Sequence, residues 1–172
     1  MTRPPGPALA SVACMTARPA TPDDADELVR LRAVMLRSGA TRVPWNDDWC
    51  EPARRSLRRR LTGPSSSLAA YVVDRTGGAG LAACAVGLIE ERLGNPANPT
   101  GLTGYVFNVA TDPDHRRRGH ARACMAGLLD WFGERGVRAV DLRASADGEP
   151  LYQGLGFVRT PDPAMRLMLA GS

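Results

Sequence analysis

Arg116-Arg117-Arg118-Gly119-His120-Ala121 is the stretch on which the reading of this 172-residue chain turns. Upstream, Thr103 to Thr111 is a nearly continuous apolar run, the pattern of a strand buried on both faces, with Asn108 as the polar exception. Asp112-Pro113-Asp114 ends that strand. Downstream, Ala121, Cys124, Met125, Leu128, Leu129 and Phe132 recur at helical spacing, so an amphipathic helix begins where the stretch ends. The first amides of a helix have no acceptor inside it, and that end carries partial positive charge. A glycine there lets a bulky anion approach the backbone, and the arginines add fixed charge with forked donors. Together the parts suit a diphosphate. The same residues also describe a basic helix start in water, and local physics weighs the two nearly evenly.

Outward from this centre, the chain falls into short alternating elements. Thr16 to Ala20 predicts a first strand. Thr21-Pro22-Asp23-Asp24 is a helix start, with a capping residue, a proline in the first turn and acids at the positive end. Leu28, Leu31 and Met35 mark that helix's buried face, and Ser38-Gly39 its end. Residues 51–61 predict a second helix with Ala53, Leu57 and Leu61 on one stripe. Arg54, Arg55, Arg58, Arg59 and Arg60 cover most of the remainder, and a solvated face is favoured over a nucleic-acid or substrate surface. Leu68 to Asp74 and Leu81 to Glu90 predict a hairpin. Its glycines, Gly77, Gly78 and Gly80, are turn residues, because no helix follows them. Gly94 to Gly101 is a loop. After the long helix, Gly136 is a stop, Val137 to Ala144 a strand and Glu149 to Leu155 a short helix. Gly156-Phe157-Val158 and Met165 to Leu169 are expected to close the sheet as two strands. Antiparallel strands followed by one β-α-β unit imply a mixed sheet, and strands this apolar need helices on both faces.

Two segments of this order resemble a known family. Arg116-x-x-Gly119-x-Ala121 is similar to the R/Q-x-x-G-x-G/A motif of the GNAT acetyltransferases. Leu151-Tyr152-Gln153-Gly154-Leu155-Gly156-Phe157 looks like that family's L-Y-x-x-x-G-F segment, at the expected distance downstream. The opening Arg18-Pro19-Ala20-Thr21-Pro22-Asp23-Asp24-Ala25 is also similar to many GNAT openings. The resemblance covers about residues 16 to 170, and the pair of motifs at this spacing is specific where either alone is weak. It implies an α/β (α+β) GNAT fold: a central mixed, mostly antiparallel sheet of six to seven strands, flanked by about four helices on both faces. Residues 16–172 are then one domain, and residues 1–15, with Pro4, Pro5 and Pro7, a disordered tail.

By the same resemblance, acetyl-CoA is the co-substrate; no metal is expected, since the four cysteines form no C-x-x-C that would make a zinc site. The Arg116 motif, through the backbone amides of Arg117, Arg118, Gly119, His120 and Ala121, holds the CoA diphosphate. Val109 and Thr111 pair with pantetheine, and the Val109 amide polarises the thioester carbonyl. Ser145 stands where many members carry a pantetheine-contacting asparagine, a departure from the pattern. Tyr152 is placed as proton donor to the CoA sulfur, against a plain packing role for its ring. Many members have a glutamate just before the Val109 position; here Asn108 stands there, which cannot act as a base but can hold a water or orient the amine. Glu90, Glu91, Asp147 and Glu149 are the remaining base candidates, each more ordinary as surface charge. His115 reads as a loop residue and His120 as a cofactor-side group.

Composition sets the outer limits. The formal charge of +4, carried by arginine without a single lysine, favours anionic partners such as a CoA thioester. Cys14, Cys50, Cys84 and Cys124 form no C-x-x-C, which argues for free thiols, with Cys124 in the core. No apolar run reaches the roughly 18 residues of a membrane helix, and the segment before Cys14 is too short and broken for a convincing secretion signal. A cytoplasmic enzyme moving acetyl from acetyl-CoA to a primary amine of a small molecule is the expectation, with a homodimer left open. An acyl-CoA-binding GNAT module without turnover is the alternative. Nucleic-acid binding through Arg54 to Arg60 is disfavoured, since no aromatics are interleaved with the arginines.

Overall fold

The computed structural model describes residues 16–38, 44–63 and 65–169. The segment 1–15, expected to be a disordered tail, lies outside the described residues. The chain divides into two compact units, one ending at Leu142 and the other starting at Arg143.

In the first unit the helix start at Thr21 forms as its residues require. A short 3-10 turn, Pro22–Asp24, runs into helix α1 (Ala25–Ser38). The Asp24 carboxylate turns back to accept the Thr21 N–H at 2.8 Å, satisfying a donor that the helix leaves free. The same carboxylate accepts from Arg18 at 2.8 and 2.9 Å, tying strand β1 (Arg18–Pro19) to the helix entrance. Helix α2 (Cys50–Arg60) buries no residue completely. Leu57 and Leu61 pack at the margin of the core, and Arg54 and Arg58 both reach Asp26 of α1, at 2.8 and 2.7 Å. The arginine-rich face is thus a largely exposed surface tied in part to an acid of its neighbour.

Strands β2 (Leu68–Asp74), β3 (Leu81–Glu91), β4 (Leu102–Thr111) and β5 (Ala139–Leu142) complete a sheet of order β1-β2-β3-β4-β5. Every neighbouring pair is antiparallel except β4–β5, which is parallel across helix α3 (His120–Glu134). Alternation sorts side chains between two layers. Leu68, Ala70 and Val72 of β2, Cys84 and Val86 of β3, and Ala110 of β4 share one core with Leu28 and Leu31 of α1. On the other face Leu128 and Phe132 of α3 lie over glycines. A Cβ on Gly87 or Gly104 would come within 2.8 or 2.9 Å of the Phe132 ring, so both strands need glycine there for α3 to seat. Cys124 is fully buried, as its place in the apolar stripe requires.

The sheet therefore has five strands among the described residues, where six to seven were expected. In the second unit, helix α4 (Glu149–Gln153) forms, but neither Gly156-Phe157-Val158 nor Met165 to Leu169 is a strand. The first of these is used to end α4. Gly156 takes φ 93°, and the Phe157 N–H bonds back to the Tyr152 carbonyl at 3.0 Å, the left-handed closure that glycine favours at a helix end. The second has its large apolar side chains, Met165, Leu167, Met168 and Leu169, almost fully exposed. Apolar pattern alone does not make a strand without an edge to pair with.

Candidate active site

The first part of the candidate site is the C-terminal half of β4. Val86 faces Asn108 and Gly87 faces Val106, so Phe107 is an extra residue with no partner opposite, a β-bulge. On the other side, β5 pairs only with Thr103 to Val106. From residue 107 to 111, β4 has β3 on one side and no strand among the described residues on the other. Such an edge offers backbone donors and acceptors to a ligand. Val109 and Thr111, the residues expected at the thioester and pantetheine, lie in this stretch. Asn108 is 2% exposed. Its Nδ2 donates to Cys84 Sγ at 3.4 Å, and its Oδ1 is buried without a partner among the described residues.

The second part is the turn from β4 into α3. Asp112 anchors it. Its N–H bonds the Ala82 carbonyl at 2.9 Å, and its carboxylate accepts from Arg30 of α1 at 2.7 and 2.9 Å and from Arg75 of the β2–β3 turn. Arg30 is held in turn by Glu27 at 2.8 Å. Burial alone would raise the Asp112 carboxyl; the hydrogen bonds from Arg30 and Arg75 outweigh it and hold the group below its ordinary range. A depressed folded-state pKa stabilises the fold above the unfolded value of about 3.9, and the contribution vanishes as pH falls through the folded value. Asp112→Asn is therefore expected to cost about 2–4 kcal/mol at pH 7, a buried-pair loss discounted for two partly exposed arginines. Urea unfolding should show the gap from wild type closing below about pH 4; a gap constant down to pH 3 would remove this role.

Beyond Asp112, Arg117 takes φ 63° and Gly119 takes φ 81°. The left-handed region is uncommon for arginine, so the surrounding structure dictates the turn. The Ala123 N–H bonds the Gly119 carbonyl at 3.0 Å. The N–H groups of Arg117, Arg118, Gly119, His120 and Ala121 precede that point and have no acceptor among the described residues. No acidic side chain sits in the first turn of α3, and a Cβ on Gly119 would meet nothing within 4 Å. Residues 116–119 are exposed, and Arg116 Nε donates to the Thr111 carbonyl at 3.4 Å. Exposed amides, guanidinium groups and open space at a helix start fit a diphosphate. His120 contributes its N–H, while its ring is 5% exposed with neither nitrogen partnered among the described residues. Burial first, then the charges of His115 and Arg118, keep its pKa below the usual histidine value.

The second unit holds Ser145 and Tyr152. Ser145 organises the entry to α4: its Oγ accepts the Gly148 N–H at 3.2 Å and its carbonyl accepts the Glu149 N–H at 3.0 Å. Tyr152 is half-buried, its ring set edge-on to Phe157 with centroids 6.0 Å apart. Burial raises its phenol above the usual value, and its hydroxyl has no hydrogen-bond partner among the described residues.

The sequence profile of the acetyltransferase (GNAT) family matches residues 34–157, a span that includes both motifs. The chain belongs to the GNAT acetyltransferase family. Of solved structures, a GCN5-related N-acetyltransferase from Ralstonia eutropha is 29% identical, with TM-score 0.72 over 88% of this chain and 97% of that one. A predicted acetyltransferase from Clostridium acetobutylicum, crystallised with acetyl-CoA, shares the fold at 24% identity, with TM-score 0.76 over 88% and 95% of the two chains. Among curated proteins, the ribosomal protein bS18-alanine N-acetyltransferase of Escherichia coli is 44% identical over 55 residues, 30% of this chain. The chain spans 37% of the length of that relative.

Within this GNAT member, the carboxylates weighed as bases are tied or exposed. Glu90 accepts from Arg92 at 2.9 Å and Glu149 from Arg159 at 2.6 Å, while Glu91 and Asp147 are exposed. Among the described residues the one buried carboxylate is Asp112, already occupied by two arginines. Reading the sequence missed Asp112 as an anchor, and it missed that Arg32 of α1 has its Nη1 buried without a partner among the described residues. The signal for Arg32 was present: it stands at i+4 from Leu28 and beside Leu31, on the stripe that α1 buries. No helix among the described residues is long and apolar enough to cross a membrane.

Proposed function

We propose that this protein is an acetyl-CoA-dependent N-acetyltransferase whose acceptor is a primary amine of a small molecule. One observation carries the reading: a diphosphate-suited turn at the start of α3 follows directly on a bulged, half-unpaired β4, inside the span that matches the family. Bound acetyl-CoA would supply the activated acetyl group as a thioester. The amides of Arg117 to Ala121 would hold its diphosphate, and the Val109 N–H would draw charge onto the carbonyl oxygen as the amine adds. A lysine-like amine is only about one part in 2,500 neutral at pH 7. Asn108 cannot take the proton, but its Oδ1, without a partner among the described residues, can accept an N–H of the amine, leaving water to remove the proton. Tyr152 would protonate the departing thiolate.

Free-thiol release from acetyl-CoA, measured against amines, amino acids, polyamines and aminoglycosides, tests this. Amine-dependent release is expected. Acetyl-CoA binding with no release for any acceptor would instead support a non-catalytic binding module. Protein α-amines are the second reading, supported by what the Escherichia coli relative's name says of that protein. A peptide beginning with alanine belongs in the panel, and preference for it over every small amine would overturn the small-molecule assignment.

A further inference from the structure

α1 carries a cation, Arg32, that has no counter-ion among the described residues. Arg32 is partly buried, and its Nη1 is fully buried with no partner among the described residues. Its guanidinium lies over the Phe107 ring, 5.7 Å from the centroid. Burial lowers its pKa, and only the charge that Cys84 could carry opposes that. Cys84 does not carry it at neutral pH, because burial pushes its thiol up to about 12. Arg30, two residues earlier on α1, shows the usual solution: it is gripped by Glu27 and Asp112 at 2.8 and 2.7 Å. No aspartate or glutamate bonds Arg32, and residues 1–15, 39–43, 64 and 170–172 contain none that could.

The second unsatisfied group is next door. Phe107, on which Arg32 rests, is the bulge residue of β4, and Asn108 follows it. Asn108 is 2% exposed and its Oδ1 has no donor among the described residues. Both groups bear on Cys84: Asn108 by its hydrogen bond, Arg32 by its charge. A buried polar atom without a partner is destabilising, and more so when it is charged. A cation and a neutral acceptor, each with one buried atom unpartnered among the described residues, thus flank the β4 bulge immediately before Val109.

We infer that Arg32 and Asn108 form the acceptor subsite, and that the acceptor is a primary amine bearing an anionic group, carboxylate or phosphate. The anion takes the Arg32 fork, and the amine donates an N–H to Asn108 Oδ1, which sets its nitrogen beside the residue expected to hold the acetyl carbonyl. This deepens the acetyltransferase reading and rests on it. A neutral amine would leave the guanidinium unpaired, so the subsite discriminates by charge.

The test compares wild type with Arg32→Met, which keeps the stem and removes the charge. Amino acids are run against their carboxamides, and O-phosphoethanolamine against ethanolamine, so that the two arms distinguish carboxylate from phosphate. In at least one arm the wild-type kcat/KM ratio of anionic to neutral amine is expected to exceed about 10, and Arg32→Met to lower it about 10–150-fold, the worth of a hydrogen bond to a charged group. A ratio near one in both arms, or one that survives the substitution, overturns the subsite. If no amine is acetylated, melting temperatures with the same panel decide: stabilisation by the anionic members that Arg32→Met abolishes supports it, and none overturns it. Acetyl-CoA stabilisation, read in the same samples, reports separately on the acetyltransferase reading. Without ligand, Arg32→Met should melt roughly 2–4 °C higher, since an uncompensated charge is gone. A fall in melting temperature with a preserved ratio assigns Arg32 to packing on Phe107 instead.

Discussion

Gly119→Glu is expected to abolish stabilisation by acetyl-CoA. At 100 times its dissociation constant the ligand should add about 2.7 kcal/mol to wild type by mass action, a rise of roughly 5–10 °C for a chain of this size. Gly119 stands at the start of α3 with φ 81°, its N–H in the row of donors without an acceptor among the described residues, and no described atom lies within 4 Å of where a Cβ would be. A glutamate puts a chain and a negative charge into that open space. It also sets a carboxylate beside the amides and guanidinium groups that would otherwise meet phosphate. Gly119→Ala separates backbone from charge. Its methyl has room, so its cost is the left-handed conformation, about 1–2 kcal/mol of stability, and much of the ligand shift should remain. Equal shifts in wild type and Gly119→Glu would place the diphosphate elsewhere.

What the sequence disclosed and what it hid follow one physical division. Helix α3 was legible because Cys124, Leu128 and Phe132 repeat at the helical period, and β4 because its run from Thr103 is apolar throughout. The bulge at Phe107 was not. It inserts one residue into a strand whose faces are both apolar, so no break in alternation marks it. The left-handed Arg117 was hidden because that conformation is advertised by glycine, and an arginine there is imposed by its surroundings. Asp112 read as a strand stop before Pro113; its partners Arg30 and Arg75 are 82 and 37 residues away, and no local pattern carries such a contact. The two closing strands failed for a related reason. Met165 to Leu169 has the composition of a strand, but pairing is decided by an edge that composition does not describe. Arg32 was open to notice, since a charge on a helix's apolar stripe must find a partner or a ligand.

Tyr152→Phe should lower kcat by roughly 10²–10⁴-fold, the range usual for a general acid, while acetyl-CoA affinity barely changes. The thiolate of CoA is a moderately good leaving group, so a proton helps its departure without being indispensable. Burial raises the Tyr152 phenol above its ordinary value near 10, and the hydroxyl therefore keeps its proton through neutral pH and well into the alkaline range. It has no hydrogen-bond partner among the described residues, so no local bond has to break before it donates. Phenylalanine preserves the ring and its edge-on contact with Phe157, with centroids 6.0 Å apart, and the closure of α4 by the Phe157 N–H to the residue-152 carbonyl at 3.0 Å is a backbone bond that the substitution leaves alone. Stability should consequently stay within about 0.5 kcal/mol of wild type, since only a partly exposed hydroxyl is lost. The split between kcat and stability is what discriminates. Retained turnover with reduced stability would make Tyr152 a packing residue and put the proton donor elsewhere. Retention of both would mean that water protonates the sulfur. Loss of acetyl-CoA affinity without loss of kcat would give the hydroxyl a role in positioning pantetheine rather than in proton transfer.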